Sequence, residues 1–298
     1  MNILLIGGAG YIGSFLYDYL IKLNYQVDIC DDIRRGNLAN LPIKYPYDYH
    51  GLSSRDISNY DIILWFAGHS SVQSANQDQL GAIDNNMRNL TDFLQKIPND
   101  KMRFIYASTA SLYTGCEIPT AENSKIVPYE NAYDISKFSF DYLARSYHKN
   151  IFGLRMGTLS GFSKNLRSEL IFNQMSINAR FKGNVNIVNK LKMRSILFLS
   201  DLANIINIFI ENDKIEPGFY NCASFSLSIG ELGSKIASFY KANINYLPDS
   251  ATYSFAIDTQ KISNIGFKNT KMLDDHIVEF AKNIEDNKKY FELFFSKK

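Results

Sequence analysis

Tyr133 and Lys137 stand four residues apart in the run Tyr-Asp-Ile-Ser-Lys, a spacing that puts both side chains on one face of a helix. A phenol titrates near pH 10 in water and is a poor base at neutral pH. An ammonium one turn away favours the phenolate, and a second nearby cation favours it further. Lowering the phenol by ~3 units corresponds to roughly 4 kcal/mol of differential stabilisation, which two close cations in a partly dry site can supply. A chain with 19 tyrosines and many lysines contains such pairs by chance, so the spacing alone decides little. Thr109 adds to it. The run 103–108 reads as a buried strand ending in Ser108-Thr109-Ala110-Ser111, and Thr109 lies 24 residues before Tyr133. A hydroxyl at that strand end could bond a substrate oxygen and relay its proton to Tyr133. The chemistry expected of Thr109, Tyr133 and Lys137 is proton removal from an alcohol.

Oxidation of such an alcohol also needs a hydride acceptor, and the N-terminus points to one. A short apolar run, Leu4-Leu5-Ile6, passes into Gly7-Gly8-Ala9-Gly10-Tyr11-Ile12-Gly13 and then into a helix-compatible stretch. Glycine permits the tight turn and lets backbone amides approach a pyrophosphate at the positive end of the helix. A flexible turn between strand and helix would also use glycines. The second apolar run ends in Asp31-Asp32, and Asp31 lies 21 residues after Gly10, the distance expected for an acid that bonds the adenosine ribose. A carboxylate there would repel the 2′-phosphate of NADP, so NAD is expected; Arg34 and Arg35 follow and could instead meet such a phosphate. The positive nicotinamide of an oxidised cofactor would then be the second cation beside Tyr133.

The elements that must position these groups read as an α/β chain. Strands are expected at 2–6, 26–31, 62–66, 103–108 and 151–156, with a weaker signal near 47–49. Helices are expected at 11–23, about 77–97, and 133–147. The strands are near-continuous in Ile, Leu and Val, as in parallel sheets covered on both faces. Beyond residue 162 the pattern loosens: helices at 166–179, 201–210, 231–240 and 272–294, a strand at 192–199, and a strand or turn at 218–221. No Pro/Gly/Ser linker separates two halves. The expected architecture is a Rossmann-like doubly wound parallel sheet, residues 1–165 plus about 187–220. A smaller, mainly C-terminal lobe at about 166–186 and 221–298 would cover it.

The 298 residues can bury a sizeable core. A net charge of +2 without a basic stripe gives no reason to expect a nucleic-acid partner, and Arg34-Arg35 and Lys297-Lys298 read as solvated surface. Three scattered cysteines suggest neither a disulfide framework nor a zinc site, and the four histidines form no ligand cluster, so no metal is expected. His69 follows Phe66-Ala67-Gly68 at a strand end, where it either lines a cofactor site or is structural. No run approaches the ~20 apolar residues of a membrane span, and no signal peptide is recognisable, so a cytoplasmic protein is expected.

Taken in chain order, these pieces resemble the extended short-chain dehydrogenase/reductases, in particular the NAD-dependent nucleotide-sugar epimerases and dehydratases. The resemblance rests on Gly7 to Gly13, Asp31, Phe66-Ala67-Gly68, Asp84-Asn85-Asn86, Ser108 to Tyr113, Tyr133 and Lys137, Leu154-Arg155, Arg194, Asp201-Leu202-Ala203 and Gly218 to Asn221. It implies that Gly7, Gly10, Tyr11, Ile12 and Gly13 hold the pyrophosphate and Asp31 the adenosine ribose. Asp48 and Tyr49 would flank the adenine, Phe66, Ala67 and Gly68 would line the cleft, and Asn86 would sit near it. Thr109, Tyr133 and Lys137 would handle the proton. Thr158, Asn173 and Arg194 would contact a nucleotide sugar, with Arg194 on its diphosphate. For Arg194 a surface salt bridge competes with that reading, and for Asn173 a polar place on a helix surface.

The departures narrow the reaction. Thr109-Ala110-Ser111 stands where 4,6-dehydratases carry Thr-Asp-Glu, which argues against water elimination. Met156-Gly157-Thr158 replaces the family's frequent Tyr-Phe-Asn, so the sugar is not fixed. The C-terminal region is short for a 4-epimerase. The expected activity is an NAD-dependent 4-epimerase-type reaction in a homodimer; a 4-keto reductase using NADPH and a non-catalytic dinucleotide sensor are the alternatives.

Overall fold

The computed structural model describes residues 1–34, 36, 40–116, 118–126, 131–288 and 290–291. In chain order its strands are β1 (Asn2–Ile6), β2 (Gln26–Cys30), β3 (Ile43–Tyr45), β4 (Ile62–Trp65), β5 (Arg103–Thr109), β6 (Ile151–Met156), β7 (Thr158–Ser160), β8 (Asn184–Ile187), β9 (Met193–Phe198), β10 (Gly218–Cys222), β11 (Phe225–Ser228) and β12 (Asn243–Tyr246). The helices are α1 (Tyr11–Lys22), α2 (Ser54–Ile57), α3 (Val72–Gln77), α4 (Gln79–Ile83), α5 (Asn89–Leu94), α6 (Ala132–Tyr147), α7 (Ile171–Lys182), α8 (Leu199–Glu211), α9 (Ile229–Tyr240), α10 (Gln260–Asn264) and α11 (Leu273–Asp286).

Seven strands form one sheet in the order β10-β6-β5-β4-β1-β2-β3, every neighbouring pair parallel. Strand order reverses beside β1, so the C-terminal ends of β1 and β4 open a crevice there. Alternate residues of β1 face opposite sides, and both sides are buried. Ile3 and Leu5 pack with Leu16 and Leu20 of α1 and with Leu202, Ile206 and Phe209 of α8. Leu4 and Ile6 pack with Leu90 and Phe93 of α5 and Phe140 and Ala144 of α6. Burying each such aliphatic side chain contributes about 1.5–3 kcal/mol, which fixes register on both faces.

A smaller body follows, built from the sheet β11-β9-β7, the parallel pair β12-β8, and helices α7, α9 and α11 around Phe172, Phe198, Leu232, Ile277 and Phe280. The stretch 187–220 divides between the two bodies. β9 joins the three-stranded sheet, whereas α8 and β10 complete the large one.

Several elements differ from the sequence expectation. The helix expected at about 77–97 runs from Gln79 to Leu94, with α4 passing into α5 through a wider helical turn at Asp84–Arg88; before it, Asp78 leaves helical geometry (φ −142°, ψ 78°), ends α3 and caps α4 by accepting the Gly81 N–H. The strand expected near 47–49 lies earlier, at β3. Asp48 accepts the His50 N–H instead and starts a short helical turn at Tyr49–Gly51, the usual competition of aspartate with ladder bonds. The helix expected from 166 begins at Ile171, because 161–170 is a loop bonded across to the first strand's turn. The end of the helix expected at 272–294, together with Arg35, Lys297 and Lys298, falls outside the described residues. No helix among the described residues is long and apolar enough to cross a membrane.

Candidate active site

The crevice at the strand ends is a cavity of about 860 Å³, near the upper end of the ~300–1,000 Å³ typical of small-molecule sites. One end is the glycine turn. Gly7 has φ +83°, and a Cβ there would lie 2.5 Å from the Ala67 nitrogen. Gly13 lies under the turn rather than on the cavity wall, and a Cβ on it would lie 2.3 Å from the Gly7 carbonyl oxygen. Both positions therefore require glycine for close approach of backbone to backbone. Gly10 precedes α1 and offers no side-chain cap, which leaves the first amides of the helix for an anion. Gly7, Gly10, Tyr11 and Ile12 line the cavity.

Asp31 closes this end. Its carboxylate accepts the Ala9 N–H at 2.9 Å and the Ile33 N–H at 2.8 Å, while burial pushes its pKa up. Arg34, exposed at the rim, is ion-paired with two acids. Its guanidinium lies 2.5 Å from Asp32 and 3.7 Å from Asp48. Asp48, Tyr49, Phe66, Ala67, Gly68 and His69 line the same wall. The Tyr49 hydroxyl reaches Asn85, which also meets His69. Asn86 does not reach the cavity. It is fully buried behind Gly68, donates to the Ser136 hydroxyl, and leaves its own carbonyl oxygen without a partner among the described residues.

At the centre, β5 delivers Thr109 and α6 delivers Tyr133 and Lys137 to one wall. Asn131 caps α6, accepting the Asp134 N–H, and so sets where Tyr133 begins the first turn. Burial pushes the Tyr133 phenol up, the Thr109 hydroxyl and the Arg167 guanidinium oppose that, and Asp134 adds to it. The Lys137 ammonium donates to the Ala107 carbonyl at 2.9 Å, and burial pulls its own pKa down to about 8. In the protein alone, desolvation of Tyr133 outweighs the groups that favour its phenolate.

The far end belongs to the smaller body. Thr158 and Arg194 line it, beside Gln174, Asn189, Ser250, Thr252 and Tyr253. Arg194 is not in a surface salt bridge. It is buried, donates to the Tyr253 carbonyl and to the Thr252 hydroxyl at 2.6 Å, and burial lowers its pKa to about 10. Asn173 is neither a cavity-wall residue nor a helix-surface one. Fully buried, it accepts the Gly161 N–H at 2.9 Å and donates to the Tyr11 hydroxyl and the Arg167 carbonyl. Its place is under the 161–170 loop. That loop crosses the glycine turn: Tyr11 donates to Gly161, Ser14 meets Ser163, and Asn165 donates to the Ala9 carbonyl. Arg167 reaches the Ser70 carbonyl at 3.3 Å and lines the cavity near Tyr133. Neither Arg167 nor Tyr253 carried a spacing signal; only the closed loops bring them in.

The donor set fits a nicotinamide dinucleotide: an uncapped helix start after a turn that Gly7 and Gly13 keep tight, and a carboxylate one strand away. Among the described residues no group of three side chains could hold a metal ion. Comparison with known proteins agrees. The sequence pattern described as the NAD dependent epimerase/dehydratase family matches residues 3–223. The ADP-L-glycero-D-manno-heptose-6-epimerase of Brachyspira hyodysenteriae is 27% identical, over 87% of this chain and 88% of that protein. A putative UDP-glucose 4-epimerase of Methanocaldococcus jannaschii is 22% identical, over 89% and 92%. The UDP-glucuronic acid 4-epimerase of Bacillus cereus, solved with UDP-glucuronic acid and NAD, superposes with a TM-score of 0.82 at 22% identity, covering 96% of this chain and 99% of that one. With its sheet order, glycine turn and three-quarters of its length matched, the chain belongs to the NAD dependent epimerase/dehydratase family.

Proposed function

We propose that the protein epimerises a nucleotide sugar at a carbinol carbon, by a 4-epimerase-type reaction, with NAD bound across the β1 and β4 ends. A bound oxidised dinucleotide supplies a reversible hydride acceptor and a positive charge. The chain's residues do the rest. Gly7, Gly10, Tyr11 and Ile12 present backbone to the pyrophosphate, with Gly13 packed beneath, and Asp31 accepts from the adenosine ribose. Asp48 and Tyr49 flank the base, while Phe66, Ala67 and Gly68, backed by Asn86, form the cleft wall. Tyr133, once ionised beside that charge, takes the proton of the sugar hydroxyl and later returns it. Thr109 holds the reacting oxygen within reach, and Lys137, buried under the cleft, orients the ribose. Thr158 and Arg194 face the sugar nucleotide, with Asn173 holding the loop over it. Residues 1–165 and about 187–220 serve mainly the dinucleotide and the remainder mainly the sugar.

The observation that carries this reading is the meeting of Thr109, Tyr133 and Lys137 on one wall of a cavity that begins at the glycine turn. NAD is preferred to NADP because the carboxylates of Asp31, Asp32 and Asp48 cluster at the end of the cavity where a 2′-phosphate would sit. The absence of carboxylates at Ala110 and Ser111 disfavours water elimination. The same proposal includes a cytoplasmic homodimer, formed through the exposed face of α6, where Ile135, Tyr142, Leu143 and Tyr147 are apolar and uncovered.

The test is incubation with UDP-, dTDP- and ADP-linked sugars, read by chromatography, mass and the near-ultraviolet absorbance of reduced nicotinamide. The expected result is an isomer of unchanged mass with no net change in reduced cofactor. Stoichiometric consumption of NADPH would make the protein a reductase. Release of NAD on denaturation with no sugar converted would make it a sensor.

A further inference from the structure

The segment between β7 and α7, residues 161–170, has two kinds of side chain that go two ways. Its apolar ones, Phe162 and Leu166, pack into the core of the smaller body. Its polar ones reach the large body. Ser163 is buried and meets Ser14 of α1 at 2.6 Å. Asn165 donates to the Ala9 carbonyl at 2.9 Å, and Arg167 donates to the Ser70 carbonyl at 3.3 Å. Tyr11 adds a bond to the Gly161 carbonyl at 2.6 Å. Ala9 follows β1 and Ser70 follows β4, so the segment ties together the two sides of the crevice. One buried amide fixes both of its ends: Asn173 accepts the Gly161 N–H and donates to the Arg167 carbonyl.

The sheet order says what this segment lies across. A dinucleotide with its ribose at Asp31 and its reactive end at the Thr109 and Tyr133 wall runs from the end of β2 to the end of β5. The order β5-β4-β1-β2 makes it cross the ends of β4 and β1 on the way. Asn165 and Arg167 line the cavity, whereas Ser14 and Ser163 do not. We propose that residues 161–170 form a strap latched over the dinucleotide, which enters and leaves only when the strap releases the glycine turn and Ser70. Every latch bond runs between protein atoms, so the strap holds with the cleft filled or empty and hinders entry as much as exit. Opening breaks polar bonds and leaves Phe162 and Leu166 anchored, so the strap swings from the smaller body. The inference rests on the proposed function only for the place of the dinucleotide.

A contact and a latch differ in their kinetics. Losing a contact to the dinucleotide speeds release and leaves entry alone. Losing a latch bond raises the share of open molecules, which speeds both by one factor and leaves affinity unchanged. Ser163 separates the two, because it bonds to Ser14 and does not face the cavity.

The experiment uses the full chain stripped of nucleotide. Entry of NADH is followed by the fluorescence of reduced nicotinamide after rapid mixing, and release by chasing bound NADH with excess NAD. Ser163→Ala is expected to raise both rates by the same factor, roughly three- to tenfold, the worth of one neutral hydrogen bond, with an unchanged dissociation constant. Ser14→Ala is expected to do the same, and the two changes together are expected to raise the rates no further than either alone, since they share one bond. Arg167→Gln also takes a cation off the cavity wall, so it is expected to speed release more than entry. Faster release of NADH from Ser163→Ala with unchanged entry overturns the proposal, and so does no change in either rate. These rates need no sugar. Matched acceleration in a protein that converts no sugar keeps this inference and loses the epimerase reading; sugar conversion with rates indifferent to Ser163 does the reverse.

Discussion

Lys137 shows at the residue scale what the site costs the fold. It is buried, and its pKa falls to about 8 from 10.5 because an ammonium there is poorly solvated. The unfolded chain holds this proton to about pH 10.5 while the native chain releases it near 8. Native stability therefore rises with pH across that window, and the penalty is complete below it. The gap is worth ~3 kcal/mol, offset by about 1 for the bond to the Ala107 carbonyl. Lys137→Met is expected to stabilise the dinucleotide-free protein by roughly 1–2 kcal/mol in urea at pH 7, to lose that advantage by about pH 10.5, and to abolish turnover. Equal stability of the two proteins at both pH values would mean that the lysine is not desolvated. The Tyr133 and Lys137 pairing was legible from four-residue spacing. The direction of the phenol's shift was not, because spacing reports which groups are near and says nothing of how dry they are.

At the element scale the β1 to α1 turn carries the most constraint. Gly7 combines a positive φ with a backbone neighbour in the way of any Cβ, whereas Gly115, at φ +92°, has open space around it. Gly115→Ala is expected to cost ~1–2 kcal/mol of strain alone. Gly7→Ala is expected to cost at least ~2 kcal/mol more from the clash and to release bound dinucleotide, measured by urea unfolding and by nucleotide retained after gel filtration. Similar losses at the two sites would show that the turn is not under steric control. The parallel strands and α6 were legible because long apolar runs and a strong helical period leave few alternatives. β7, β8, β11 and β12 have only three or four residues each, too few for a period to register. Asn173 was visible as a residue but not as a buried brace, since its partners Gly161, Arg167 and Tyr11 are set by a loop that no local pattern encodes.

At the scale of the whole molecule, the cavity takes one end from the large sheet and the other from the smaller body, and the 161–170 loop joins them. Fold class and the family were readable from chain order, because the glycine turn, Asp31, Thr109, Tyr133 and Lys137 follow one another as the sheet order requires. The sugar was not, because Thr158, Arg194, Asn189 and Thr252 meet only after three separate segments close. The proposed dimer is testable through Tyr142, 73% exposed on α6. Tyr142→Glu is expected to convert a dimer to a monomer in sedimentation without unfolding the chain, and an unchanged sedimentation coefficient would place the interface elsewhere. Everything in the account turns on the Tyr133 hydroxyl handling the sugar proton, so the most direct measurement is turnover of the best nucleotide sugar by Tyr133→Phe, beside its content of bound NAD. The account expects turnover to drop by about 10²–10⁴-fold with NAD retained. Turnover within a few-fold of the unaltered protein would contradict it.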